Sequence, residues 1–398
     1  PFSYLVPYYR FPYIVKTIDL NNKQEKTIAD IPVDEVRPIG FDATREGIRS
    51  VSWRNDKESE LYWVEANDNG DPKVESDGRD IVYTLKSPFN DKKDELLKTN
   101  LRYSNISWGS GNYAILTERL WKNRNELTSL VNVKDRSIEK VLFDRQYDDI
   151  YSDPGDPVFK KNEYNRNIID FRKNSILMIG QGGSPEGYRP FLSVLDLKSV
   201  SSTILFKSQA PYYERPIKLS SNNENILITS KESKSENPNY FLRDLQKNTN
   251  RQITFFENPY KKLEQLKKEV INYKRKDGID LSSIVYTLDT YNPENEGRLP
   301  VLIWAYPREY TSKKVASQVR NSPYRFTRIN YGSPIFWALR GYAVMASTEM
   351  PIVGFDGDQP NNSFREQLVM NAEAAIDKIV DMGIGDRDRV GVGGHSYG

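Results

Sequence analysis

The strongest constraint on this chain is a strand pattern that recurs along its first 255 or so residues. A short apolar strand is followed by a turn and then by a second strand carrying an apolar-Asp-Leu-like step. Strands of the first kind are Leu61 to Val64, Tyr113 to Leu116, Ile176 to Ile179 and Ile226 to Thr229. Their partners are Ile81 to Leu85, Leu130 to Lys134, Val194 to Leu197 and Phe241 to Leu245, and an incomplete first copy lies at Val15 to Leu20. Copies roughly 50 to 65 residues apart are too long for helical-pair repeats and suit four-stranded blades with long loops. The pattern predicts a partial β-propeller of about four to five blades, because closure on itself is how such sheets avoid exposed strand edges. A β-sandwich of similar strands is the competing arrangement.

The pattern changes after residue 255. Residues 256–276 form a basic stretch in which Leu263, Leu266, Val270 and Ile271 fall on one face of a helix, so a linker helix is expected. Its lysines, Lys261, Lys262, Lys267 and Lys268, read as a solvated helix face rather than a nucleic-acid surface. From residue 277 strand and helix alternate: an edge strand at Ile284 to Leu288, a buried strand at Pro300 to Ala305, a helical stretch at Ser333 to Arg340 and a second buried strand at Tyr342 to Ala346. A well-marked helix follows, with Ser363 and Glu366 as a capping box, a stripe of Leu368, Ala372, Ala375, Ile376 and Ile379, and Gly383 as its stop. Asp386, Arg387 and Asp388 read as the turn into a last strand, Arg389 to Gly393. Such alternation implies an open, mostly parallel sheet flanked by helices. The expected domains are therefore a β-propeller at 1–255, a linker helix at 256–276 and the N-terminal part of an α/β-hydrolase domain at 277–398.

Gly394-His395-Ser396-Tyr397-Gly398 fits the G-x-S-x-G pattern and directly follows that last strand. In a nucleophile elbow the serine sits in a strained turn between strand and helix, and glycines flank it because a Cβ would meet neighbouring backbone. Ser396 is thus the candidate nucleophile, and the backbone N–H of Tyr397 is a candidate oxyanion donor. A second donor is expected from the loop Trp304 to Glu309, where Tyr306 is either an oxyanion or positioning group or an ordinary packed aromatic. Arg308 and Arg365 are candidates for pairing with an acidic substrate side chain.

A serine hydroxyl needs a base, and the sequence contains one histidine, His395, whose place beside Ser396 points its ring away from the hydroxyl. In the order Ser, then Asp or Glu, then His, the partners of a triad would lie past residue 398, so this chain alone is expected to be inactive. Asp148, Asp149, Asp153 and Asp156 lack the ligand order of a calcium loop and read as a solvated turn. Gln181 to Gly187 does not open a helix and reads as a propeller loop rather than a phosphate cradle.

Composition narrows the classes further. With 57 Lys+Arg against 55 Asp+Glu the formal charge is only +2, no footprint for nucleic acid or an anionic membrane. There are no cysteines, which removes thiolate chemistry and disulfides and leaves the compartment open, a periplasmic or secreted one being slightly favoured. No apolar run is long enough to span a bilayer. No metal or organic cofactor is required, and a peptide is the expected partner. Because the chain starts without Met and stops inside the elbow, it reads as a piece of a longer protein.

The sequence resembles the prolyl oligopeptidase family of serine peptidases, in its glutamyl endopeptidase-like branch. The residues carrying the resemblance are Trp304 to Tyr310, Gln318-Val319-Arg320, Gly341 to Val344, Glu366 to Val369 and Gly393 to Gly398. Within the repeats they are Asn162-Glu163-Tyr164, Ser184 to Gly187, Ala210 to Arg215 and Asn239 to Leu245. The resemblance implies a propeller of about seven blades capping an α/β-hydrolase domain, and cleavage on the carboxyl side of glutamate. Its oxyanion tyrosine would fall in the loop at Trp304 to Tyr306. The alternatives are a serine esterase of the same architecture and a non-catalytic propeller serving as a binding platform.

Overall fold

A computed structural model describes residues 3–220, 222–354 and 358–398. Four four-stranded sheets follow one another along the chain. The first comprises Arg49–Trp53, Glu60–Ala66, Asp80–Lys86 and Asp94–Thr99. The second comprises Arg102–Trp108, Tyr113–Arg119, Asn125–Asn132 and Ser137–Gln146. The third holds Asp156–Pro157, Ser175–Gly180, Phe191–Asp196 and Ser201–Lys207, and the fourth Tyr213–Leu219, Ile226–Glu232, Asn239–Asp244 and Thr249–Gln252. In each, the two strands expected from the sequence are the middle pair, as in Leu61↔Leu85 and Ile115↔Leu130. The copy expected at Val15 to Leu20 is a two-stranded ribbon, Tyr13–Ile18 with Glu25–Ile31.

The chain divides into two compact units. One comprises Pro1–Tyr147, Pro157–Leu177 and Val194–Ser202 and contains the first two sheets. Its core joins Val64, Val82, Leu116 and Val131, all fully buried, to the edge-on pair Tyr62 and Trp108, whose ring centroids lie 5.2 Å apart. Middle strands buried on both faces explain their near-continuous apolar sequence.

The other unit comprises Asp148–Asp156, Met178–Ser193 and Thr203–Gly398. It contains the fourth sheet and a five-stranded sheet of β1 (Leu266–Lys274), β2 (Asp280–Leu288), β3 (Leu299–Tyr310), β4 (Ala343–Val353) and β5 (Gly385–Gly393), in the order β1-β2-β4-β3-β5. β1, β2 and β4 pair antiparallel, while β3 pairs parallel with β4 and β5. The sheet is mixed rather than mostly parallel, and Ile284 to Leu288 lies inside it, since β1 covers the edge expected to be free.

β1 occupies the stretch expected to be a linker helix; only Lys261–Gln265 is helical, as a 3-10 turn. Leu266 and Val270 pack on one side of the sheet, whereas Ile271 and Tyr273 pack on the other. Those spacings fit a helical stripe and a two-sided strand equally, and nine consecutive pairings with β2 decide for the strand. β5 likewise begins earlier than expected, so Asp386, Arg387 and Asp388 are strand residues.

The helix α1 (Phe364–Asp381) ends where expected, with Gly383 at φ 74° beyond it. Ser363 caps it without a side-chain bond to the backbone; its hydroxyl instead accepts from Gln367 Nε2 at 2.9 Å, so the capping box does not form. The deepest face of α1 is Gln367, Asn371, Ala375 and Ile379. Its two amides clamp the end of β4: Gln367 exchanges bonds with Val353 N–H and C=O at 2.9 and 2.8 Å, and Asn371 donates to the Pro351 carbonyl at 3.0 Å. Arg275, 1% exposed, completes the network through Asn371, Gln367, the Pro351 carbonyl and both oxygens of Asp277.

Candidate functional site

β5 runs parallel to β3 with Trp304 opposite Gly393, so the chain leaves β5 beside the middle of β3. There it bends: Gly398 N–H donates to the His395 carbonyl at 3.0 Å, and Ser396 stands in the left-handed region at φ 60°. A non-glycine residue in that region carries backbone strain, which persists only where surroundings enforce it. Here the enforcement is visible, because a Cβ on Gly394 would lie 2.3 Å from the Gly398 carbonyl carbon and 2.8 Å from the Ala305 carbonyl oxygen. The strain leaves the Ser396 side chain exposed at the turn's tip.

The tip is framed by aromatic rings. Tyr397 meets Tyr306 at 6.0 Å, near edge-on, and Phe364 at 5.6 Å, while its hydroxyl donates to Glu309 at 3.2 Å. Burial, then the Glu309 carboxylate, raises the Tyr397 hydroxyl above its ordinary pKa. The Tyr397 N–H donates to no protein acceptor among the described residues. Trp304 to Glu309 is not a loop but the second half of β3, paired with β4 past a register shift between Ile303 and Ala305. Tyr306 therefore has a fixed backbone and an exposed ring, 48% accessible.

A cavity of about 300 Å³ opens between β3, β4 and the elbow, bordered by Tyr306, Arg308, Arg320, Asn321, Glu349 and His395. Arg308 thus joins the surroundings of the turn. Arg365, exposed on the first turn of α1, does not border the cavity. His395 borders it, while Ser396 does not.

Sequence reasoning passed over two charged residues of this cavity, Arg320 and Glu349. Arg320 lies 5.1 Å over the Tyr310 ring and donates to the Asp148 carbonyl at 2.6 Å. The acidic turn expected to be solvated is thus tied in place, with Asp149 also accepting from Gln318 Nε2 at 2.6 Å. Glu349 accepts from Ser282 N–H at 2.9 Å through one oxygen, while the other is buried without a partner. Burial pushes its pKa up to about 7, against the opposing pull of Ser282 and Arg320. A lone carboxylate inside the apolar run Ala343–Val353 was the available signal.

That carboxyl makes stability depend on pH. Because its folded-state pKa lies above its unfolded value, the folded chain holds the extra proton, so its favourable contribution is complete below about pH 4.5 and is lost as pH rises through about 7. We expect Glu349→Gln to flatten the decline in urea midpoint between pH 5 and 8, measured against the unsubstituted chain. An unchanged slope would remove Glu349 as its source.

No family model matches the sequence. Two plant proteins, both named "Probable glutamyl endopeptidase, chloroplastic", align with the whole chain: that of Oryza sativa subsp. japonica at 39% identity and that of Arabidopsis thaliana at 36%. The chain spans 44% and 43% of their lengths. Among solved structures, Porphyromonas gingivalis dipeptidyl peptidase 4 superposes on 97% of this chain and 64% of its own with a TM-score of 0.54 at 13% identity, a likeness of fold. No helix among the described residues is long and apolar enough to cross a membrane. Identity near two in five residues is sustained along the entire chain rather than confined to a common pentapeptide, so the similarity to those plant proteins extends to the repeated sheets as well as to the C-terminal turn.

Proposed function

We propose that this chain carries the nucleophile of a serine endopeptidase that cleaves peptide bonds through an acyl-enzyme on Ser396. The observation that carries the proposal is the strained φ of 60° at Ser396, enforced by glycine contacts no other residue would permit, directly after a parallel strand. In this reading the five-stranded sheet is the beginning of an α/β-hydrolase domain, and the four preceding sheets are propeller blades. The Ser396 oxygen attacks the scissile carbonyl, its proton passes to a base, and the free N–H of Tyr397 receives the developing oxyanion. Tyr306, edge-on to Tyr397, steers the peptide or adds a second donor. The tetrahedral adduct then collapses, breaking the C–N bond and expelling the amine half of the peptide, which takes the proton from the base. Water next attacks the acyl-enzyme, giving its proton to the base, which returns it to Ser396 as the new carboxylate leaves.

The acid and base of the triad are assigned to the part of the full-length protein outside this chain, with His395 kept as a wall of the cavity. Arg308 and Arg320 give that cavity a positive border suited to the side chain of glutamate, which matches the name of the plant relatives. Arg365, away from the cavity, is left as a surface residue. The relatives' names place them in the chloroplast, and a plastid-type compartment is the corresponding proposal here.

Fluorophosphonate labelling tests the nucleophile. We expect the full-length protein to gain a single adduct that peptide mass spectrometry maps to Ser396. An adduct elsewhere, or none on a protein that turns over peptides, would sink the assignment.

A further inference from the structure

Beyond the elbow cavity the same unit holds a second one, of about 440 Å³, bordered by Tyr188, Tyr213, Arg215, Glu232, Arg325 and Arg328. None of these residues borders the first cavity. Its charges do not balance: three guanidiniums face one carboxylate. Glu232, 3% exposed, is held by Arg328 and lies 3.7 Å from Arg325. A guanidinium offers five N–H donors, so one carboxylate leaves most of those on Arg325 and Arg328 unused. Arg215, exposed on the rim, has no carboxylate partner among the described residues. Arg325 lies 5.2 Å over the Tyr213 ring, which holds its plane, and the Tyr213 hydroxyl is fixed by donation to Gln181 at 2.7 Å. Lys268, half-buried and outside the cavity's border, donates to the Arg325 carbonyl at 2.8 Å and so helps to hold the Arg325 backbone.

An ion pair serving the fold alone would need one arginine for Glu232. A planar, pre-oriented set of surplus donors beside an aromatic ring is instead the arrangement that receives a carboxylate through two parallel bonds.

Tyr188 stands where the two cavities approach one another. Burial raises the pKa of its hydroxyl, against the downward pull of Arg320 and Arg308 of the first cavity and Arg325 of the second. Its backbone is locked against the 318–321 segment: Tyr188 N–H donates to the Asn321 carbonyl at 3.0 Å, and Gly187, at φ 96°, admits no Cβ because one would lie 2.4 Å from that oxygen.

We propose that the cavity of Arg215, Arg325 and Arg328 is a second carboxylate-accepting site, which holds an acidic side chain or the terminal carboxylate of a peptide away from the bond presented to Ser396. The proposal rests on the peptidase reading for its ligand, but its test does not depend on turnover. In the full-length protein carrying Ser396→Ala, fluorescence anisotropy would compare labelled alanine-rich peptides in four forms: with or without one internal glutamate, each as free acid or C-terminal amide. Carboxylate-bearing forms should bind at least about 10-fold tighter than the glutamate-free amide, in line with a charge-assisted bidentate contact. Comparing the glutamate amide with the glutamate-free acid tells side chain from terminus.

Arg215→Gln, at an exposed position without a carboxylate partner among the described residues, should remove about 3-fold or more of that gain. Arg215→Gln with Arg325→Gln should remove nearly all of it, the neutral amide binding as before. Arg308→Gln should leave a gain attributable to the second cavity. No gain for any carboxylate, or a gain untouched by the Arg215 and Arg325 changes, would overturn the site, as would complete loss in Arg308→Gln. Failure of the peptidase reading would show separately, as absent labelling at Ser396 with peptide binding intact.

Discussion

Ser396→Ala in the full-length protein is expected to lower kcat/KM for a peptide substrate by about 10⁴-fold or more. Removing the hydroxyl abolishes the covalent route, and what remains is the small acceleration that binding and the Tyr397 N–H can give without it. The fold should survive, because the side chain is exposed at the turn. His395→Ala is the informative companion: a wall residue should cost less than about 10-fold, whereas the base of a triad would cost as much as the serine. Progress curves with a fluorogenic peptide, alongside circular dichroism of each variant, would measure both. A Ser396→Ala protein retaining more than about a tenth of its kcat/KM would mean that the reaction does not pass through that oxygen.

Arg275→Met should be the most damaging single change to this unit's stability, at about 3 to 5 kcal/mol. The guanidinium is buried with five hydrogen bonds, between 2.8 and 3.1 Å, to Asp277, the Pro351 carbonyl, Asn371 and Gln367. Methionine fills much of the volume but leaves Asp277 without the partner that holds its carboxyl below the usual range. It also strips donors from a buried carbonyl and two buried amides. Because Gln367 and Asn371 fasten α1 to the end of β4, and α1 leads into β5 and the elbow, the loss should reach the site. Guanidinium unfolding monitored by tryptophan fluorescence would read the change; a loss under about 1 kcal/mol would show the network to be dispensable.

The two predictions draw on different kinds of legibility. Ser396 is proposed from five letters and their context, since the tight turn that holds it is a local solution to a local steric problem. Arg275 could not. Nothing near it in the chain hints that Gln367 and Asn371, some 90 residues on, would turn inward to meet it. The apolar stripe of α1 is legible as Ala375 and Ile379, while its polar buried half, Gln367 and Asn371, carries no periodic apolar signal, because amides bury well only once partners exist. Over Leu266–Lys274 the apolar spacing points to a linker helix, and only pairing with the distant β2 makes it a strand. The charged borders of the cavities join separate segments: Arg320 and Glu349 meet from different elements, and Arg215 lies more than a hundred residues before Arg325 and Arg328.

Sequence alone determined the recurring sheets, the helix before the elbow and the place of the candidate serine, because each follows from periodicity or from backbone sterics within a few residues. Tertiary structure decided the sheet order, the strand that replaces the expected linker helix, and which cations share a cavity. Those depend on pairing and desolvation between distant segments, and such energies exist only after the chain has brought the segments together.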